Sequence, residues 1–156
     1  MEIEKSIMYD YLQSFPKNIY VISNLLSLPF HLNFFLVIIY ILFYKNIINS
    51  TQFLLLILCQ FLIIIIKHVI KRDRPYINSN IINYEWFYLD RYSFPSGHTF
   101  NAFLLFYFLR ENNMISDIWT FVPYLIGISR IMLGVHYISD VIVGALLAKI
   151  IFLLHK

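Results

Sequence analysis

The sequence predicts an all-α integral membrane bundle of about five transmembrane helices, preceded by an N-terminal amphipathic helix at the interface. Two observations carry that prediction. First, 60% of the 156 residues are hydrophobic and only 13% are charged, against about a quarter charged in an ordinary soluble domain. A chain this short has too little interior to hide so much apolar surface, so lipid must take it. Second, the apolar residues fall in runs separated by short polar breaks, and a membrane helix needs about 20 of them. The length allows one domain, spanning 1–156.

The elements follow in order. Met1 to Lys17 is polar and of mixed charge. It lacks the basic start, short apolar core and small-residue cleavage site of a secretory signal. Pro16 to Leu28 reads as a helix at the interface or entering part way, because Pro29 disfavours helical geometry in the residue before it. The first span runs from Phe30 to Tyr44 and stops at Lys45-Asn46. The second and clearest runs from Thr51 to Ile70. Lys71 to Pro95 is a polar loop outside the hydrocarbon, and its Tyr84, Trp86, Phe87, Tyr88 and Tyr92 suit an interface. The third span runs from Gly97 to Leu109, the fourth from Ile118 to Gly134, and the fifth from Ile138 to Leu154. Gly144 and Ala148 form a small-xxx-small pattern that permits close helix approach, and Gly127 and Gly134 offer the same.

This topology sorts the polar residues. If the second span exits on one side, then 67–75, 95–98 and 129–140 all converge on that side. They hold most of the spare polar chemistry, and ionisable groups near hydrocarbon are costly and usually functional or paired. Lys67, Arg74 and Arg130 supply positive charge, and arginine's planar fork matches phosphate oxygens. Along a continuous helix, Lys67 and Arg74 would stand two turns apart. Ser96 and Gly97 open a helix, where free N–H groups and a hydroxyl can meet an anion. His136 and Asp140 are four apart and share a helix face, so the carboxylate can orient the imidazole. His98 is available to move a proton. Together these residues describe an anion site containing a nucleophile.

The bland readings are snorkelling for Lys67 and Arg74, a helix cap for Ser96 and Gly97, and a structural pair for His136 and Asp140. Each is reasonable alone; chance must supply all three segments together. His31 and His155 read as interfacial and solvated, and His68 lies off the pattern. Lys71, Arg72 and Arg91 can draw an anionic head group or hold the loop at the lipid surface. Cys59 lies in an apolar run and reads as a buried thiol. A net charge of +3 with no polybasic run gives no sign of nucleic acid. No Asp/Glu/His cluster looks like a metal site.

The segments are Lys67-x6-Arg74-Pro75, then Pro95-Ser96-Gly97-His98, then Ser129-Arg130-x5-His136-x3-Asp140. They resemble the three-part signature of the type 2 phosphatidic acid phosphatase superfamily, which includes haloperoxidases and acid phosphatases. All eleven fixed positions are met, in the family's order. The resemblance implies a membrane phosphatase without metal or other cofactor. His136 would be the nucleophile, forming a phosphohistidine; Asp140 would orient it. His98 would be the general acid and then activate water. Lys67, Arg74, Ser96, Gly97 and Arg130 would bind the phosphoryl oxygens. Small members resemble phosphatases of phosphatidic acid, phosphatidylglycerol phosphate and isoprenyl diphosphates such as undecaprenyl diphosphate. A lipid phosphotransferase on the same site and a non-catalytic lipid-phosphate binder are the competing readings. With the signature cations set aside, the other face holds Lys45, Arg110, Lys149 and Lys156. Cytoplasmic loops are richer in Lys and Arg, which leans toward an active face away from the cytoplasm; Lys5 and Lys17 on the active side would cancel the lean. Oligomeric state has no readable code.

Overall fold

The computed structural model describes residues 12, 15–77, 80–87 and 90–156; most of the polar N-terminus and Tyr88 lie outside them. The described residues are helical apart from loops and one isolated bridge. The helices are α1 (Asn18–Ser27), α2 (Leu32–Tyr44), α3 (Ser50–Ile70), α4 (Gly97–Glu111), α5 (Val122–Met132) and α6 (Ile138–His155). Short 3₁₀ turns at Leu28–Phe30 and Asp117–Phe121 precede α2 and α5. By length and composition α3 and α6 can each cross a membrane. The segment from α1 to α2 qualifies as one further span, bent by 50°.

The bundle is built around α4. It packs against α3, α5 and α6, and nine of its residues are buried, from His98 to Phe108. α3 shows how one helix serves lipid and core together. Its buried residues Gln52, Leu56, Cys59, Gln60, Ile63 and Lys67 recur at helical spacing and form one stripe. Leu54, Leu58, Phe61, Leu62, Ile65 and Val69 on the other face are exposed. An apolar outer face of this kind is what a hydrocarbon solvent requires. Lys67 ends the inward stripe and is therefore carried into the bundle. Cys59 is buried, as its apolar run implies.

Gly144 and Gly127 sit at close contacts, whereas Gly134 lies past the end of α5 with φ 73°, in a turn against the Ile82 carbonyl and not between helices. A Cβ added at Gly144 would stand 2.7 Å from the Ser96 carbonyl oxygen, and one at Gly127 would stand 2.7 Å from Val141 Cγ1. Gly144 thus lets α6 lie against the start of α4. Far from that contact, Gln52 and Asn112 tie the start of α3 to the end of α4. Asn112 Nδ2 donates to Gln52 Oε1 at 2.8 Å, and Gln52 completes a capping box with Asn49.

α3 ends at Ile70, where the apolar run ends, and Lys71 turns left-handed there, with φ 52°. Lys67 and Arg74 are therefore not two turns apart on one helix; a short extended segment carries Arg74 back over the helix end. There Asp73 bridges to Tyr92, and the Ser93 N–H donates to the Arg72 carbonyl at 2.8 Å. The fourth helix begins at Val122, not Ile118, with Pro123 in its first turn. The first helix turns through Leu28–Phe30 and packs on α5, and its buried Asn24 donates to the Tyr84 carbonyl at 2.9 Å.

Candidate active site

The three segments do converge. Lys67 arrives at the end of α3, Arg74 on the reversed chain, His98 in the first turn of α4 and His136 in the loop before α6. These four, with Gly97, Gln60, Asn101, Asp90, His31 and a wall of Phe30, Leu32, Ile63 and Ile64, line a cavity of about 250 Å³.

His136 has its orientation fixed from both sides. Arg74 Nη1 lies 3.3 Å from His136 Nε2. A guanidinium has donors only, so Nε2 must present its lone pair and the ring proton must sit on Nδ1. Nδ1 faces Asp140 Oδ2 at 3.4 Å. That contact is looser than a good hydrogen bond, as catalytic contacts often are before substrate tightens them. Nε2 therefore faces the cavity cations, and the carboxylate stands behind the ring. Burial pushes the His136 pKa well below the usual imidazole value, and the nearby Arg74, Lys67 and Arg130 push the same way.

Asp140 is fully buried and held at both oxygens. Oδ2 accepts from the Tyr137 N–H at 2.9 Å, and Oδ1 accepts from Arg72 Nη1 at 2.8 Å. Arg72 also donates to Ser139 Oγ at 2.7 Å and lies 3.9 Å over the Tyr137 ring. This arginine, read from sequence as a surface charge, instead anchors the orienting carboxylate.

The remaining cations have protein partners. Lys67 Nζ donates to Asp90 Oδ1 at 3.1 Å and to the Tyr92 carbonyl at 2.7 Å. Arg74 donates through Nη2 to the same Asp90 Oδ1 at 2.6 Å, through Nε to the Asp90 carbonyl at 2.6 Å and through Nη1 to the Val135 carbonyl at 3.0 Å. Arg130, fully buried, donates to Ser27 Oγ at 2.8 Å and pairs with Glu85, while its Nε has no hydrogen-bond partner among the described residues. It lies behind the cavity lining. Ser96 caps α4: its Oγ lies 2.9 Å from Thr99 Oγ1 and accepts from the Thr99 N–H at 3.4 Å. Its hydroxyl serves the helix, whereas Gly97 lines the cavity. Ser129 donates back to the Ile126 carbonyl at 2.7 Å.

Sequence reasoning missed four residues. Asp90, Glu85 and Arg72 each complete an ion pair with a signature residue. His31 lines the cavity, its ring centroid 6.0 Å from that of His98, and its Nδ1 is buried without a hydrogen-bond partner among the described residues. His68 bonds to the Ile64 carbonyl at 2.8 Å and is not among the lining residues. His155 packs its ring 5.2 Å from that of Phe108. Among the described residues no group of three His, Cys, Asp or Glu side chains is placed to hold a metal ion.

Known proteins resemble this chain in sequence and fold. Phosphatidylglycerophosphatase B of Bacillus subtilis is 38% identical over 77 residues, covering 42% of this chain and 38% of that protein. The bacitracin transport permease protein BcrC of Bacillus licheniformis is 44% identical over 59 residues, 35% of this chain and 28% of that one. The matched stretches thus span well under half of these relatives. In structure, the chain superposes on a transmembrane PAP2-type phosphatidylglycerolphosphate phosphatase from Bacillus subtilis with a TM-score of 0.78 at 24% identity, covering 99% of this chain and 83% of that one. Against Aquifex aeolicus LpxE the TM-score is 0.73 at 26% identity, covering 96% and 92%. Residues 49–155, which contain all three signature segments and the helices that carry them, match the PAP2 superfamily, and the chain belongs to that superfamily.

Proposed function

We propose that this protein hydrolyses a lipid-linked phosphate or diphosphate through a phosphohistidine on His136. The observation that carries the proposal is the seating of His136. Its Nε2 lone pair faces Arg74 at 3.3 Å and its Nδ1 faces Asp140 at 3.4 Å, at a cavity that Lys67 and His98 also line.

In the proposed reaction, His136 Nε2 attacks the terminal phosphorus as its bond to the leaving oxygen breaks, that oxygen departing on the lipid alcohol from a monoester or on the lipid monophosphate from a diphosphate. His98 gives that oxygen a proton. Water then attacks the phosphohistidine, His98 takes the water's proton, and inorganic phosphate leaves. Lys67 and Arg74 oppose the negative charge of both transition states, where preorganised donors act most strongly. Arg130 adds its buried positive charge from behind the lining. The backbone at Ser96 and Gly97 opens α4 toward the phosphoryl group.

The apolar wall of Phe30, Leu32, Ile63 and Ile64 supports a lipid substrate, since it gives the acyl or isoprenyl chain a place beside the reacting group. Phosphatidic acid, phosphatidylglycerol phosphate and isoprenyl diphosphate are the substrates proposed, the second also through the named activity of the Bacillus relative. The test is phosphate release by purified protein in detergent with EDTA present, on phosphatidic acid and on a long-chain isoprenyl diphosphate. Release that survives EDTA supports metal-independent hydrolysis. Transfer of phosphate to an added alcohol in preference to water would support the phosphotransferase instead, and no turnover with retained phosphate binding would support the binder.

In this proposal the active face points away from the cytoplasm, the side favoured by the lean of Lys45, Arg110, Lys149 and Lys156 to the other face, which Lys5 and Lys17 would offset. Cys59 is the single cysteine and is buried. An Arg91→Cys variant labelled from outside by a membrane-impermeant maleimide would agree; labelling only after permeabilisation would reverse the orientation.

A further inference from the structure

The two cations at the cavity are already bridged by a carboxylate of the protein itself. Asp90 Oδ1 accepts from Lys67 Nζ at 3.1 Å and from Arg74 Nη2 at 2.6 Å. The same Arg74 guanidinium touches His136 Nε2 through Nη1. One anionic oxygen is thus held by the two groups that would hold a phosphoryl oxygen, beside the nitrogen that would attack it. The Asp90 backbone is pinned by Arg74 Nε at 2.6 Å, yet its side chain is 47% exposed. The carboxylate can therefore rotate out of the seat without displacing the chain.

We infer that Asp90 is a specificity residue: its carboxylate occupies the phosphoryl seat and admits terminal phosphoryl groups while excluding phosphodiesters. This rests on the reading of the cavity as the phosphoryl site. The reason is charge exchange. A phosphodiester head group carries one negative charge on its phosphate, the same as the carboxylate it would displace. Exchanging one for the other gains no attraction to Lys67 and Arg74 and sets two anions side by side. A terminal phosphoryl group carries between one and two negative charges at neutral pH and presents three acceptor oxygens. It gains charge and hydrogen bonds in the exchange, and so displaces Asp90 where a diester does not. Membranes hold diester lipids in large excess over any terminal phosphate, so this discrimination keeps the site from filling with bulk lipid. Selection by repulsion of the wrong ligand is an ordinary route to specificity.

The experiment compares the wild type with Asp90→Asn and Asp90→Glu, each purified in detergent. Phosphatidic acid turnover is measured with increasing phosphatidylglycerol as the diester competitor. Binding of inorganic phosphate and of soluble glycerophosphoglycerol is measured separately by thermal shift. Asp90→Asn should bind the diester more tightly by about tenfold, as expected for loss of one close like charge, and its turnover should become sensitive to phosphatidylglycerol. Asp90→Glu should restore the wild-type discrimination. Unchanged diester binding in Asp90→Asn, with turnover lowered for every substrate, would overturn the inference and leave Asp90 as a residue that only positions Lys67 and Arg74. Should Asp90→Asn not fold, the wild type decides alone: tight inhibition by phosphatidylglycerol contradicts the inference, and weak inhibition beside clear phosphate binding supports it. The thermal shifts need no turnover, so an absence of lipid hydrolysis counts against the proposed function without touching this test.

Discussion

Nη1 of Arg74 lies 3.3 Å from Nε2 of His136. Because the guanidinium cannot accept a proton, this contact makes the imidazole present its lone pair toward the cavity. In the proposed reaction Arg74 thus has two tasks, holding a phosphoryl oxygen and keeping His136 in its reactive tautomer. Arg74→Lys keeps the charge but loses the fork, which is not a conservative change at a site of this kind. Phosphate release should fall by about 10²- to 10³-fold, as when one transition-state donor is removed. Activity within a few-fold of wild type would mean that charge alone suffices.

Asp140 is the second orienting group. Asp140→Asn replaces an acceptor facing Nδ1 with an amide that can donate, which favours the opposite tautomer. Loss of an orienting carboxylate costs about 10⁴-fold in the best-studied triad, and a drop of about 10²- to 10⁴-fold in kcat is expected here. The amide still fits the site, but Arg72 loses its anionic partner, so the melting temperature should also fall and kcat is compared on folded protein. A fall in KM alone, with kcat kept, would contradict the orienting role.

The pH dependence follows from His136. Its pKa in the folded protein is lowered, by burial first and then by Arg74, Lys67 and Arg130, from an unfolded value of about 6.5. His136 therefore stays neutral and nucleophilic below pH 6.5 (about the unperturbed value), so the acid limb of kcat/KM should lie below that point. Stability follows the same sign. The unfolded chain binds the proton more readily, so the contribution is intact above the unfolded pKa and is lost as pH falls toward the folded one. Melting in detergent should fall on the acid side, and His136→Asn should reduce that slope. An acid limb above neutrality would contradict this environment.

Glu85 partners the fully buried Arg130. Removing one member of a buried ion pair leaves an uncompensated charge and costs about 3–5 kcal/mol. Glu85→Gln should therefore lower the melting temperature markedly, and it should do so more than the same change at an exposed acid such as Asp117. An unchanged melting temperature would show that Arg130 does not depend on Glu85.

These cases also show what was legible in the sequence. The helices were legible because lipid-facing runs are long and their polar breaks are sharp, as at Lys45-Asn46 and from Lys71 onward. The eleven signature positions were legible because each segment is short and local. The departure of Arg74 from the helical line of Lys67 has its own signal in the sequence, since Pro75 disfavours helical geometry at Arg74. Pro123 likewise marked the true start of α5. Asp90, Glu85 and Arg72 had no such signal. Each acts through a partner at least 16 residues away, Asp90 on Arg74, Glu85 on Arg130 and Arg72 on Asp140. Their roles exist only once the chain from 71 to 96 folds back over the ends of α3 and α6. His31 was misread for the same reason, since its place beside His98 depends on the 50° bend between α1 and α2.

The central claim is that His136 itself takes the phosphoryl group. The most direct measurement is rapid acid-free quenching of wild type and His136→Ala after mixing with phosphate-labelled phosphatidic acid or labelled isoprenyl diphosphate. The account predicts a labelled protein adduct that is stable in base and labile in acid, carried on the peptide containing His136 and absent from the variant, with phosphate release lowered by about three orders of magnitude or more, as for loss of a nucleophile. Labelling elsewhere, or substantial phosphate release by His136→Ala, would contradict it.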